Sequence, residues 1–197
     1  MNGLLMKRFF DISVSLVGIL LFSFVIIICW FIASIDTKSN GLFIQTRVGR
    51  YGKHFNIFKI KTMRSDSAIT TTITQASDPR ITRCGAFFRK TKLDELPQLW
   101  NVLIGDMSFV GPRPDVPGYA DQLDESIKSV LLSVRPGITG PASLAYRNEE
   151  EILAAQSDPR RYNDDVIFPD KVRINLCYIN NWRFVSDIKY IVQTIFH

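Results

Sequence analysis

The fold is organised around LDELPQLW, residues 93–100, in which two adjacent acids precede a proline and an apolar, helix-like run. Proline has no backbone N–H donor and fixes φ near the helical value, so a helix tolerates it in the first turn. The pattern therefore predicts a helix that begins near Asp94 and buries its apolar side chains. The predicted buried stripe consists of Leu96, Leu99, Trp100 and Leu103.

The two acids, Asp94 and Glu95, allow two interpretations. Asp is a preferred N-cap residue and acids suit the positive end of the helix dipole, so capping alone would explain the pair. Cations flank the acids, however, because residues 89–92 contain three of them and GPRP follows the same helix at 111–114. Carboxylates, cations and a helix N-terminus together meet the needs of a phosphate and of a divalent metal ion.

The composition limits the classes of partner. The 197 residues are 46% hydrophobic and carry a net charge of +5, with a mean hydropathy of +0.07. Residues 36–100 hold twelve Lys and Arg against five Asp and Glu, whereas residues 115–170 are acidic. A basic half beside an apolar segment favours an anionic membrane surface or phosphate-bearing substrates. Nucleic acid is not expected as a partner, because no recognised binding motif is present.

Cysteine and histidine usage argues against two kinds of site. The three cysteines, Cys29, Cys84 and Cys177, are far apart and belong to no motif, and the chain has only two histidines. This pattern indicates a reducing compartment and disfavours both a disulfide framework and a zinc site.

An almost uninterrupted apolar run from Ser13 to Ile35 has the length of a membrane segment. Lys7 and Arg8 precede the run and the basic part of the chain follows it, so the positive-inside rule would keep both flanks in the cytoplasm. A helix that enters the membrane and returns satisfies both flanks, and the Ser23 hydroxyl could bend it by bonding a carbonyl one turn earlier. We therefore expect a membrane-embedded helix at residues 1–36 and a cytoplasmic domain at 37–197.

Two further segments have recognisable patterns. Residues 42–52 and 55–64 are β-like runs around a glycine-containing turn, which predicts a hairpin. In the second run Lys59 and Lys61 alternate with apolar residues, and a substrate-binding face and a solvated strand face fit this alternation equally well. The apolar face of residues 182–196 fits either the core or a helix at the membrane interface, and we favour the interface.

Five motifs in order resemble those of one family. They are KRFFD (7–11), FKIKTMR (58–64), LDELPQ (93–98), GDMSFVGPRP (105–114) and RPGITG (135–140). From about Lys7 to Lys189 the chain resembles the small monotopic phosphoglycosyl transferases, the bacterial sugar transferase family. The resemblance implies an α+β, helix-dominated fold. Its parts would be an N-terminal re-entrant membrane helix, a short β-hairpin and a compact cytoplasmic catalytic domain with interfacial helices.

The resemblance also implies a reaction. A sugar 1-phosphate would pass from a UDP-sugar to polyprenyl (undecaprenyl) phosphate, with release of UMP, at the cytoplasmic face of the bacterial inner membrane. Asp94 would be the nucleophile that carries the phosphosugar, and Mg²⁺ would be bound by Asp94 and Glu95. Whether Glu95 is also a base stays open. The candidates for binding phosphoryl oxygens are Lys59, Lys61, Arg89, Arg113, Arg135 and Arg147, with Arg113 and Arg147 foremost.

One departure and two rival functions remain. The family breaks its membrane helix with a Ser-Pro pair, and this chain has Ser23-Phe24 there, which removes the strongest kinking residue. A non-catalytic, membrane-tethered scaffold that binds nucleotide-sugar or lipid is the main alternative. A phosphotransferase for soluble substrates is disfavoured, because the sequence has no glycine-rich phosphate loop. The sugar is not specified by the sequence, and homodimer formation stays open.

Overall fold

The computed structural model describes residues 3–64 and 78–196, and it confirms the helix-dominated α+β class. The threonine run at 70–74, for which the sequence predicts a loop or an edge strand, lies outside the described residues. The helices are α1 (Gly3–Thr37), α2 (Arg83–Thr91), α3 (Gln98–Ile104), α4 (Glu125–Leu131), α5 (Pro141–Ala145), α6 (Glu149–Ala154), α7 (Pro159–Tyr162), α8 (Phe168–Asn180) and α9 (Phe184–Phe196). The strands are β1 (Leu42–Val48), β2 (His54–Ile60), β3 (Ser108–Val110) and β4 (Gly137–Thr139).

The strands form two small sheets. β1 and β2 pair antiparallel from Leu42 opposite Ile60 to Val48 opposite His54, which confirms the predicted hairpin. β3 and β4 pair in parallel, with Val110 opposite Thr139. The sequence does not predict β4, because three residues are too few to show a period.

The helix α1 is the one element of residues 3–64 and 78–196 that is long and apolar enough to cross a membrane. Its most apolar window has a mean hydropathy of 2.9, and only 11% of that window is buried inside the protein. A core helix of a soluble protein would be covered, so this surface is available to lipid. The helix continues through Ser23, whose Oγ donates to the Leu20 carbonyl at 3.3 Å, the back-bond that the sequence predicts.

Both ends of α1 contact the rest of the protein. Near its start, Lys7 Nζ lies 2.5 Å from Asp187 Oδ2 and Arg8 donates to the Val102 carbonyl at 2.7 Å. Near its end, Cys29 and Ala33 pack in the core cluster that also contains Ile60 and Phe88. Residues 8 and 33 of a straight helix are about 38 Å apart. The domain therefore lies along the helix and is attached at both ends.

The helix α9 has one inward polar group and an exposed apolar face. Asp187 is buried on its inner side, while Val185, Ile195 and Phe196 are largely exposed. The exposed apolar face of this amphipathic helix supports the prediction that α9 lies at the membrane interface. Trp182 is not free for the headgroup region, however, because its Nε1 donates to Asp187 Oδ2 at 3.0 Å.

Candidate active site

The acid pair lies in a single turn between two helices. The helix α2 ends at Thr91, Lys92 adopts a left-handed conformation with φ of 59°, and Leu93–Glu95 form one 3₁₀ turn. The prediction of an α-helix that begins near Asp94 is therefore wrong by about one turn, because α3 begins at Gln98. No side chain of the described residues caps α3, so the capping interpretation of Asp94 is also wrong.

The predicted buried stripe needs a correction as well. Leu99 is buried, but Trp100 is 52% exposed, and Val102 occupies the core instead. Two polar residues of α3, Gln98 and Asn101, share the buried face.

The Asp94 carboxylate is buried and incompletely satisfied. The residue is 8% exposed, and its Oδ1 has no hydrogen-bond partner among the described residues. Burial raises the pKa of Asp94 to about 6, and the charge of Glu95 acts in the same direction against Lys59 and Lys92. A buried carboxylate whose basicity is raised is a better nucleophile or base than a solvated one.

Glu95 has the opposite environment. Its Oε1 accepts from Arg113 Nη2 at 2.7 Å and from Lys59 Nζ at 3.1 Å. Burial alone would raise the pKa of Glu95, but Arg113 and Lys59 outweigh it and hold that pKa well below its usual range. Glu95 is therefore ionised throughout the physiological range, while its neighbour Asp94 takes up a proton near pH 6.

The loop after β3 brings Arg113 to the acid pair. Gly111 N donates to the Thr139 carbonyl at 3.0 Å and Gly137 N donates to the Pro112 carbonyl at 2.8 Å, so the parallel sheet continues into the loop. A Cβ at Gly137 would lie 2.2 Å from Gly111 N, and only glycine permits this approach of two backbones. The sheet thus fixes the loop that carries the guanidinium.

More charged side chains surround this group. Arg47 on β1 donates to the Pro114 carbonyl at 3.0 Å, and burial together with Arg113 lowers the pKa of Arg47 to about 10. Burial raises the pKa of Asp115 to about 6, against the attraction of Lys171 and Arg47. Sequence reasoning missed Arg47 and Asp115, because neither has a local pattern that separates it from a surface charge.

The helix α6 contributes two carboxylates to the same region. Glu150 forms an ion pair with Arg89, and Glu149 Oε2 lies 2.5 Å from Lys171 Nζ. Arg89, after Lys59 and Lys92, is one of the cations whose charge partly offsets the rise in the pKa of Asp94. Glu95 is the main cause that raises the pKa of Arg113, and Glu149 acts in the same direction. The acidic run at 149–151 therefore borders the site.

Three predicted residues have recorded contacts with other parts of the protein. Arg135 Nε donates to the Gly105 carbonyl at 2.7 Å, at the carboxyl end of α3, whereas Asp94 precedes the amino end. Arg147 Nη2 donates to the Gln193 carbonyl on α9 at 3.2 Å. Lys61 Nζ donates to Ser39 Oγ at 2.8 Å, beyond the end of α1. Lys59, Arg89 and Arg113 are the predicted cations that the structure groups with the acid pair.

The arrangement suits chemistry on a phosphate. A carboxylate can attack phosphorus, and fixed cations beside it can balance the charge of the incoming anion. No cluster of three or more His, Cys, Asp or Glu within residues 3–64 and 78–196 forms a complete metal site. The acid pair still fits Mg²⁺, since this ion commonly takes one or two protein carboxylates and completes its shell with phosphates and water. Lys59 and Arg113 both contact Oε1 of Glu95, and neither contacts Oε2.

Comparison with known proteins gives the family. Residues 2–197 match the sequence model of a family described as "Bacterial sugar transferase". An uncharacterized sugar transferase of Haemophilus influenzae is 35% identical over 99% of this chain and 41% of its own length. The UDP-glucose:undecaprenyl-phosphate glucose-1-phosphate transferase of Escherichia coli is 36% identical over 98% of this chain and 40% of its own length.

A shorter relative comes from Bacillus subtilis. This putative undecaprenyl-phosphate N-acetylgalactosaminyl 1-phosphate transferase is 39% identical over 63% of this chain and 70% of its own length. The chain spans about two fifths of the length of the Haemophilus influenzae and Escherichia coli relatives. Because the match to the family model covers nearly every residue from the apolar helix to α9, the chain belongs to the bacterial sugar transferase family.

Proposed function

We propose that this protein transfers a sugar 1-phosphate from a UDP-sugar to polyprenyl phosphate and releases UMP, with Asp94 as the nucleophile. The observation that carries the proposal is the contrast between the two adjacent acids. Asp94 is buried, one of its oxygens has no partner among the described residues, and burial raises its pKa to about 6, while Lys59 and Arg113 hold Glu95 ionised. Relatives named as undecaprenyl-phosphate sugar transferases support the substrate class.

The proposed reaction has two displacements at one phosphorus atom. An Asp94 carboxylate oxygen attacks the β-phosphorus of the UDP-sugar, the bond from that phosphorus to the bridging oxygen breaks, and its electron pair leaves with UMP. An oxygen of polyprenyl phosphate then attacks the same phosphorus. The bond to Asp94 breaks, the carboxylate is restored, and the product is a polyprenyl diphosphate-linked sugar.

The neighbouring residues have proposed tasks in these steps. Asp94 and Glu95 would hold Mg²⁺, which supplies charge neutralisation for the phosphates when it is bound. Arg113 and Arg89 would bind phosphoryl oxygens. To do so, Arg113 would have to release Glu95 and Arg89 would have to release Glu150 when the substrate binds. Lys59 keeps Glu95 ionised during this exchange.

The membrane arrangement is part of the proposal. The domain is attached to both ends of α1, and basic residues dominate the segment 36–100, which supports a domain at the cytoplasmic face of the inner membrane with a re-entrant α1. The exposed apolar face of α9 would lie at the same surface. We also propose that the protein forms a homodimer. The mass of the purified protein in detergent would test this.

The test is UMP release by purified protein in detergent with undecaprenyl phosphate, Mg²⁺ and a panel of UDP-sugars. At least one donor should give UMP, and Asp94→Asn should reduce the rate by about 10³-fold or more. Asp124→Asn removes an exposed carboxylate as the matched control and should have no effect. With donor but no acceptor, wild type should carry a phosphosugar on Asp94.

The outcomes separate the alternatives. The absence of UMP with every donor, or full activity of Asp94→Asn, contradicts the enzyme and favours the binding scaffold. Turnover without any trapped phosphosugar contradicts only the covalent route. Loss of UMP release on Mg²⁺ chelation, with recovery when the ion returns, is the expected result for the metal.

A further inference from the structure

Two buried amides on α3 have contrasting partners. Gln98 is 1% exposed and Asn101 is 0% exposed. The Asn101 side chain is satisfied at both ends, because Oδ1 accepts from Phe58 N at 3.1 Å and Nδ2 donates to the Asn56 carbonyl at 2.7 Å. The Gln98 Nε2 group has no partner anywhere in residues 3–64 and 78–196. The Asn101 side chain therefore attaches α3 to β2 through two hydrogen bonds. The Nε2 donor of Gln98 makes no such hydrogen bond to the described residues.

The nearest turn holds the complementary atom. Asp94 Oδ1 is a buried acceptor that, among the described residues, also has no partner. The backbone is helical between the two, since Leu96 N donates to the Leu93 carbonyl at 3.3 Å and Leu96 has φ −53° and ψ −38°. This bond joins residues three apart, as in a 3₁₀ turn, so Asp94 and Gln98 are little more than one turn apart, and both are buried. Buried donors and acceptors are almost always paired in native proteins, so these two unpartnered groups need a reason.

We propose that Gln98 is the positioning residue of Asp94, with Nε2 donating a hydrogen bond to Oδ1 when the sugar nucleotide is bound. The inference rests on the proposed function of Asp94 as nucleophile. The bond is unmade in the free protein, as expected for catalytic hydrogen bonds, which often tighten only in the substrate complex. With Oδ1 held, the second carboxylate oxygen is directed at the β-phosphorus.

The same bond serves both displacements. In the first, the attacking oxygen forms the bond to phosphorus and UMP leaves with the electron pair of the bridging oxygen, while Oδ1 becomes the carbonyl oxygen of the acyl phosphate. In the second, the acceptor phosphate forms the new bond and the Asp94 oxygen leaves with its electron pair. The Gln98 amide donates to Oδ1 throughout and stabilises the carboxylate as it leaves.

Gln98→Met tests the proposal, because methionine has a similar length and no donor. We expect kcat for UMP release to fall about 10- to 100-fold, the loss that follows from one hydrogen bond to a charged group. The KM for the UDP-sugar should change less than about threefold. The melting temperature should stay the same or rise, because the change removes a buried amide donor that has no partner among the described residues.

Two further variants complete the design. Asn101→Leu is the matched control on the same helix: it leaves Phe58 N and the Asn56 carbonyl without partners, so it should lower the melting temperature while the folded fraction keeps its kcat. Gln98→Glu places an acceptor opposite Oδ1 and should lose more kcat than Gln98→Met.

The remaining results each overturn the inference in a recognisable way. Normal kcat in Gln98→Met, beside an active wild type, removes the role of Gln98 and leaves the proposed function intact. A rise confined to KM means that the amide binds substrate directly. A lower melting temperature with normal kcat means a structural role. No UMP from wild type with any donor defeats the proposed function and this inference together.

Discussion

The Arg113 guanidinium donates to Glu95 Oε1 at 2.7 Å, although 18 residues separate the two in sequence. The contact joins the loop after β3 to the turn that carries Asp94. Lys59 of β2 contacts the same oxygen at 3.1 Å, so three separate elements meet at one carboxylate. Glu95 is thus the residue that fixes the mutual position of the parts of the site.

Removal of either partner should destabilise the protein, with coupling between the two. Glu95→Gln leaves Lys59 and Arg113 without their counter-ion, and we expect a loss of about 1–3 kcal/mol in the free energy of unfolding. In a double-mutant cycle with Arg113→Gln, measured by denaturant unfolding in detergent at pH 7, the two losses should not add. Strictly additive losses would mean that the contact contributes nothing.

The pH dependence of that coupling has a defined sign. Arg113 and Lys59 outweigh burial and hold the pKa of Glu95 below its usual range, so the contribution is complete above the unfolded value of about 4.3. It should decline as the pH falls below that value. Lys189→Gln, on the exposed side of α9, provides a charge-matched control that should show no such coupling to Glu95.

Asp115→Asn should stabilise the protein at neutral pH. Burial raises the pKa of Asp115 to about 6, so folding at pH 7.5 requires a buried charge, while near pH 4 the carboxyl is protonated in the folded state. The gain should be about 1–2 kcal/mol at pH 7.5 and should disappear between about pH 6 and pH 4. Thermal unfolding across this range measures it, with Asp124→Asn as control. A gain that is independent of pH would exclude the titration of Asp115 as its cause.

Lys7→Met should destabilise the attachment of α1. Asp187 is 2% exposed and accepts from Lys7 Nζ at 2.5 Å, from Tyr178 Oη at 2.7 Å and from Trp182 Nε1 at 3.0 Å. Loss of the ammonium leaves a buried carboxylate without its cation, which should cost about 2–4 kcal/mol of the unfolding free energy. Chemical denaturation in detergent provides the measurement. Lys189→Met, on the same helix as Asp187, should cost much less, and equal losses would contradict the special role of the buried pair.

Both ends of α1 should lie on the cytoplasmic side. Single cysteines at Leu4→Cys and Lys53→Cys, in a protein whose three native cysteines are replaced by alanine, should both resist a membrane-impermeant maleimide in intact spheroplasts. Both should react after the inner membrane is permeabilised. Labelling of Leu4→Cys alone in intact cells would show that α1 spans the membrane.

The sequence predicts local features well and long-range contacts poorly. The hairpin β1–β2 and the long apolar helix follow from patterns within one segment, and both are confirmed. The turn at Leu93–Glu95 depends on the left-handed backbone of Lys92, which no periodicity reveals. The helix start was mispredicted for this reason.

The cations show the same limit. All six predicted Lys and Arg residues fit phosphate binding by type, but the structure groups Lys59, Arg89 and Arg113 with the acid pair and directs Arg135 and Arg147 to backbone carbonyls. The parallel pairing of β3 with β4 fixes the loop that carries Arg113, and β4 is too short to be predicted. One signal in the sequence could have identified Gln98. An amide within an otherwise apolar helical stripe needs a hydrogen-bond partner, either within the core or in a functional site.

The attachment of α1 at both ends has a consequence for biosynthesis. Lys7 and Arg8 are synthesised well before their partners, which are Asp187 and the Val102 and Leu103 carbonyls. Contacts over such separations form slowly, because a long loop must close first. The Lys7–Asp187 pair therefore cannot form until residue 187 has been synthesised, whereas the contacts of Arg8 need only residues up to 103.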